Sequence, residues 1–361
     1  MSQEVYRELL NVMKKRGGGY PGMDIPEFYA MVEELFTPAE ALVNNAMPRG
    51  PFQAKDLAAS MGQAEAEIGR VLEAMADKGL CVALKVNGIQ FYQSARFMPG
   101  ILEFQFMSGG MTERHKRIAA LIHDYKKAFD EKSKDAQSKV APYRVITVDR
   151  TVRIGNQVHT YDQVRSYIDK CDQIAVSTCY CRHAALLRGE DIHEMPTDVC
   201  MQFGINAQFA VERLGARKVT KNEALEVLNR SEEAGLIHMS QNVTDDIAFL
   251  CNCDRWHCVA VKAALSQARP GLYFNSGFSP FFDPDLCTAC ETCVDRCPPK
   301  ALAMGEEDLP KVDLDRCFGC AACATGCPSE AITMTNKPDY PVPPKSEKDL
   351  KEALKASRGA P

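Results

Sequence analysis

Apolar residues recur every three or four positions through residues 65–78, at Ile68, Val71, Leu72 and Met75, and this spacing predicts an amphipathic helix. Gly79 stands where a left-handed C-cap belongs. Upstream, Thr37 as N-cap and Pro38 in the first turn predict a helix over residues 37–46. Residues 54–61 give a further short helix, ended by Gly62. After Gly79 the chain reads as strand: residues 80–86 and 89–92 flank Asn87-Gly88, a pair that favours a type I′ hairpin turn. Residues 109–139 begin helical, with Ile118, Leu121, Ile122, Tyr125 and Phe129 on one stripe, and turn polar from Asp130. Beyond them the pattern predicts strands over 143–148 and 173–177 with a helix over 162–171 between them. Helices over 206–214 and 221–234 follow, the second ended by Gly235, then a short strand over 236–239. Residues 337–361 are rich in Pro and Lys and read as an extended arm with a short helix near 348–356.

These shifts of pattern divide the chain into a helical and hairpin domain (1–106), a helical linker (107–139), a central cysteine-rich domain (140–277), a second cysteine-rich domain (278–336) and a tail (337–361). The fold class expected is α+β and multidomain. With 361 residues, two or three domains agree with roughly 100–200 residues each. A net charge of −5 disfavours a general nucleic-acid or membrane-surface binder. The first fifteen residues lack the apolar core of a signal peptide, and no apolar run approaches the roughly 18 residues of a membrane span. The expected location is the cytoplasm, where sixteen cysteines point to metal binding rather than disulfides.

Two cysteine runs carry the strongest signal. The first is Cys287, Cys290, Cys293 and Cys297 followed by Pro298; the second is Cys317, Cys320, Cys323 and Cys327 followed by Pro328. Each has the C-x2-C-x2-C-x3-C-P spacing of bacterial iron–sulfur proteins, in which three thiolates close on one cluster and the fourth reaches the other. One [4Fe-4S] cluster is therefore expected on Cys287, Cys290, Cys293 and Cys327, and a second on Cys317, Cys320, Cys323 and Cys297. Zinc sites use paired C-x2-C units with longer spacers and have no use for four cysteines in one run. Residues 280–336 resemble the two-cluster bacterial ferredoxins at every ligand position, which implies electron transfer as the activity. This segment holds ten acidic residues against Arg296, Lys300, Lys311 and Arg316, so a redox partner with a basic patch is expected.

The central region contains Cys179, Cys181, Cys200, Cys251, Cys253 and Cys258, with Arg182, His183, Arg255 and His257 beside them. Soft thiolates select iron–sulfur clusters or zinc. A third cluster on Cys181, Cys200, Cys251 and Cys253 is the first expectation, with Cys179 and Cys258 as alternate ligands; zinc, or buried cysteines that bind nothing, stay open. The flanking positive groups would raise a cluster's potential. Trp256 reads as packing.

The first hundred residues, three helices and a hairpin, resemble a winged helix-turn-helix domain. Its would-be recognition helix carries Glu65, Glu67, Glu73 and Asp77 against Arg70 and Lys78, the wrong balance for a phosphate-lined groove. A docking or dimerisation module is expected instead, and a homodimer with it. The whole layout resembles multidomain iron–sulfur proteins of anaerobic bacteria, with a winged helix, a central C-x-C-R…C…C-N-C region and a C-terminal ferredoxin domain. The resemblance implies a class and no particular reaction. His193 and Asp254 occupy places where members carry further cysteines. No dinucleotide fingerprint, phosphate loop, nucleophile elbow or H-E-x-x-H motif occurs, and Gly17, Gly18 and Gly19 read as a flexible turn. The expected function is low-potential single-electron transfer between a partner enzyme and a soluble carrier, with no catalytic residue of its own. An oxidoreductase subunit with a reactive central cluster and a redox-sensing transcriptional regulator are the alternatives.

Overall fold

The computed structural model describes residues 2–133, 140–153, 163–245, 247–337 and 340–358. The chain forms two compact units, and neither is one continuous stretch. The first comprises Met1–Asp135, Ser177–Asp191 and Ile205–Arg217; the second comprises Ala136–Val176, Ile192–Gly204 and Lys218–Pro361.

The first unit is mostly helical. Its helices Pro38–Ala46, Ala54–Met61 and Glu65–Asp77 lead into a hairpin of strands Cys81–Val86 and Ile89–Ser94. Local chemistry sets each boundary. The Thr37 hydroxyl accepts from the Glu40 amide while the Glu40 carboxylate accepts from the Thr37 amide, a reciprocal capping box. Asn87 and Gly88 both take positive φ, 50° and 80°, as a type I′ turn requires. Two helices precede these, Ser2–Arg16 and Pro26–Leu35. The first buries Tyr6, Leu9, Leu10 and Met13, and the second Phe28, Met31, Val32 and Leu35; both stripes have helical spacing and pack in the core of the unit. The helix Glu113–Lys132 contributes Ile118, Ile122 and Tyr125 to the buried set. Of the polar run after Asp130, residues 134–139 lie outside the described residues.

The end of helix Glu65–Asp77 is committed within this unit. Arg213, from helix Ile205–Arg213, donates to Glu73 at 2.7 Å and to Asp77 at 2.6 Å, and the Tyr92 hydroxyl donates to Glu73 as well.

A six-stranded sheet organises the second unit. Its order is Tyr143–Val145, Ile237–Gln241, Phe249–Cys253, Cys200–Phe203, Ile174–Ser177 and Arg217–Val219. Strand Phe249–Cys253 pairs antiparallel with both neighbours, Ile237 opposite Cys253 on one side and Met201 opposite Leu250 on the other. Strand alternation splits the core in two. One face carries Ile146, Met201, Phe203 and Leu250 against Val227, Leu228 and the C-terminal helix residue Leu350. The opposite face carries Val145, Ile237, Met239 and Cys253 against Val261, Phe274, Phe318 and Cys320. This second face is what seats the second cysteine run. Two small two-stranded sheets complete the two runs, Phe278–Phe282 with Ile332–Asn336 and Leu302–Met304 with Pro310–Val312. Among the described residues no helix is long and apolar enough to cross a membrane.

Candidate metal centres

Each cysteine run folds by the same local rules, and the cysteine spacing and backbone turns of the first return thirty positions later in the second. The Cys287 amide donates to Asp283 O at 3.1 Å and the Cys317 amide to Asp313 O at 2.9 Å. Left-handed backbone falls at Ala289 and Glu291, and again at Gly319 and Ala321. These reversals wrap the chain so that three successive cysteines face one point. Short helices Thr292–Arg296 and Ala322–Thr325 follow. Each then ends at its fourth cysteine, with Cys297 donating to Val294 O and Cys327 to Ala324 O, both at 3.2 Å.

The two runs exchange their fourth cysteines. One cavity is lined by Cys287, Cys290, Cys293 and Cys327, with Phe282, Met304 and Ile332 as apolar wall. A second is lined by Cys297, Cys317, Cys320 and Cys323, with Pro280, Leu302 and Met334. The donor sets fit iron–sulfur clusters. Burial pushes the Cys320 thiol up to about 12, raises Cys297 and Cys317, and lifts Cys323 well above the ordinary range, so these sulfurs need a cationic partner to exist as thiolates. The Ala301 amide donates to Cys297 Sγ at 3.2 Å, a contact that also steadies a ligated sulfur.

The cavities differ in exposure. All four cysteines of the second are buried, whereas Cys290 of the first is exposed and Cys287 and Cys327 are half-buried. A hydrogen bond with Thr292 lowers the Cys290 thiol. Arg296 braces the pair from within: its guanidinium donates to the carbonyls of Ala322, Glu233 and Glu232 at 2.9 to 3.1 Å and lies across Gly326.

Gly319 is the tightest backbone position in the second loop. Its φ is +68°, and a Cβ there would press on the Phe278 carbonyl and the Ser276 hydroxyl. Gly319→Ala is therefore expected to cost the protein most of its second cluster, read as a fall of about four irons per chain on anaerobic purification. Unchanged iron content would show that the loop relaxes around the methyl group.

The central cysteines fall into two groups. Cys179 precedes helix Tyr180–Leu187 and Cys181 lies within it, both in the first unit. There the Tyr180 hydroxyl accepts from Lys126 at 3.0 Å, and His183 Nε2 meets Gly110 O at 2.9 Å. Cys200, Cys251, Cys253 and Cys258 belong to the second unit. Cys251 and Cys253 stand two apart on one strand and share the face that carries Met239 and Ile237. Met201 and Phe203 point to the opposite face, so alternation sends Cys200 to the same side as Cys251 and Cys253. Cys258, just before helix Val259–Leu265, places Sγ 3.2 Å from that of Cys253. Hydrogen bonds with the adjoining thiols Cys251 and Cys258, and then burial, raise Cys253 well above its ordinary value. His257 bonds Asp254, and its ring lies 6.0 Å from that of His193, which also packs 4.5 Å from the exposed Trp256. Among the described residues no group of three or more His, Cys, Asp or Glu is arranged to hold a single metal ion.

Residues 286–331 match the 4Fe-4S dicluster domain family. No curated protein matches the chain. The chain thus carries a ferredoxin-like segment that binds [4Fe-4S] clusters, and iron–sulfur electron transfer is the general activity that this segment supports.

Proposed function

We propose that this protein moves single low-potential electrons between a redox partner enzyme and a soluble carrier, using its two ferredoxin-type centres and a third redox centre on the central cysteines. A bound [4Fe-4S] cluster takes up and gives out one electron at a time. The chain supplies the rest. Eight thiols around two cavities hold the clusters, the four of the second are all buried, and the exposed Cys290 corner brings the first within reach of a partner. The acidic side chains of Asp283, Asp285 and Glu291 stand near that corner in the chain and suit a partner with a basic patch, because opposite charge raises encounter rates.

The observation that carries the third centre is the gathering of Cys200, Cys251 and Cys253 on one sheet face with Cys258 against Cys253. That face also packs against Phe318 and Cys320 of the second cluster loop. A third [4Fe-4S] cluster predicts about twelve irons and twelve sulfides per chain on protein purified without oxygen, falling to about eight of each in Cys251→Ser/Cys253→Ser. About eight in both proteins, with or without one zinc, would confine the redox chemistry to the ferredoxin segment. For the winged-helix-like region, the engagement of Glu73 and Asp77 by Arg213 favours a docking or dimerisation role over groove binding.

A further inference from the structure

The thirty-residue repeat of the two cluster loops is broken on one side by charge and polarity. Thr288, Glu291, Thr292 and Asp295 of the first loop correspond to Phe318, Ala321, Ala322 and Thr325 of the second. Two further pairs reverse sign: Lys300 of the first repeat stands where the second has Glu330, and Glu307, exposed after the first loop, stands where the second has Lys337. Lys337 leaves strand Ile332–Asn336 and turns back. Its amide donates to Gly277 O at 2.8 Å, and its ammonium donates to the Cys317 carbonyl at 2.8 Å. The charge is half-buried there, and Cys317 and Cys320 are the thiols that act on it through space. No described carboxylate pairs with it.

Reduction adds one negative charge to a cluster, so a fixed cation beside the ligands stabilises the reduced form. Burial in low dielectric acts the other way, and it also lengthens the reach of that cation. We propose that Lys337 is a tuning residue of the second centre, holding up the potential of the buried cluster so that an electron taken on at the exposed first centre rests at the second. The second loop is the one packed through Phe318 and Cys320 against Cys253 and Cys258, so the electron then lies beside the central thiols. This rests on the electron-transfer reading above.

The test is an EPR-monitored redox titration of the full chain, wild type and variants, with iron and sulfide counted on the same samples. Lys337→Gln should lower one of the two ferredoxin midpoints by at least a tenfold change in the reduction equilibrium, which is 59 mV for one electron. Lys337→Arg should keep it. Thr292→Val, which removes the hydroxyl 3.4 Å from Cys290 Sγ, should move the other midpoint, and the double variant should move both independently. In a Cys317→Ser background, which lacks the second centre, Lys337→Gln should change nothing. A shift below threefold, an equal shift of both midpoints, or loss of iron from Lys337→Gln would each overturn the proposal; the last would make Lys337 a structural prop. A wild-type chain with no reversible one-electron signals would instead sink the electron-transfer reading itself.

Discussion

Replacing Cys297 with serine should strip the protein of the cluster that belongs to the other cysteine run. Cys297 stands in the first run, but it lines the second cavity with Cys317, Cys320 and Cys323. Serine keeps the shape and removes the soft thiolate that iron–sulfur ligation needs. The expected loss is about four irons per chain. Double variants separate this from general damage, because ligands of one site behave as a unit and fail to add. Cys297→Ser/Cys317→Ser should lose no more iron than either single variant. Cys297→Ser/Cys287→Ser should lose about eight. If Cys297→Ser and Cys287→Ser prove to share one loss, the fourth cysteines do not cross over, and the cavity linings do not reflect ligation.

The exchange follows from the chain geometry. Each short helix, which contains the third cysteine, carries the fourth away from its own loop, and the proline that follows directs the backbone on towards the next strand. The spacing of cysteines therefore announced the ferredoxin segment in the sequence. So did the caps in the first unit, since Thr37, Gly62 and Gly79 act within a few residues of themselves. Other features depend on distant partners. Helices Ser2–Arg16 and Pro26–Leu35 are hard to read in the sequence although Tyr6, Leu9, Leu10 and Met13 have helical spacing; the many charged residues around them mask the stripe. Strand Phe249–Cys253 gave no alternation signal because Asn252, on its buried reverse face, is polar and satisfied by Val199 O and by His238. Without that strand its register against Cys200–Phe203 could not be drawn, and neither could the face shared by Cys200, Cys251 and Cys253. Spacing alone makes Cys258 an alternate ligand, and only folding brings its sulfur to Cys253. The division into units is non-local in the same way, since residues 177–191 and 205–217 join the first unit from within the central region.

Removing the iron should unfold the ferredoxin segment while leaving the first unit's helices in place. Between residues 278 and 336 the regular structure consists of two two-stranded sheets and two helices of four or five residues, too little to stand alone. The clusters fill the space between these pieces. Without metal the ligands cannot take its place, because thiols whose burial raises them so far would be protonated at neutral pH and would no longer hold the loops together. Collapse would also withdraw Phe318, Cys320 and Ala322 from the central sheet and uncover Phe274 and Val261. Chelation under anaerobic conditions followed by limited proteolysis should accordingly place the first cuts within residues 286–331, with new binding of a hydrophobic dye and most of the helical circular dichroism retained. The retained signal has a clear source, since helices such as Ser2–Arg16 and Glu113–Lys132 bury their own apolar stripes within the first unit. Iron-free protein that resisted protease as well as the loaded form would mean that the apolar walls alone hold the loops, and that the clusters are guests of a preformed scaffold.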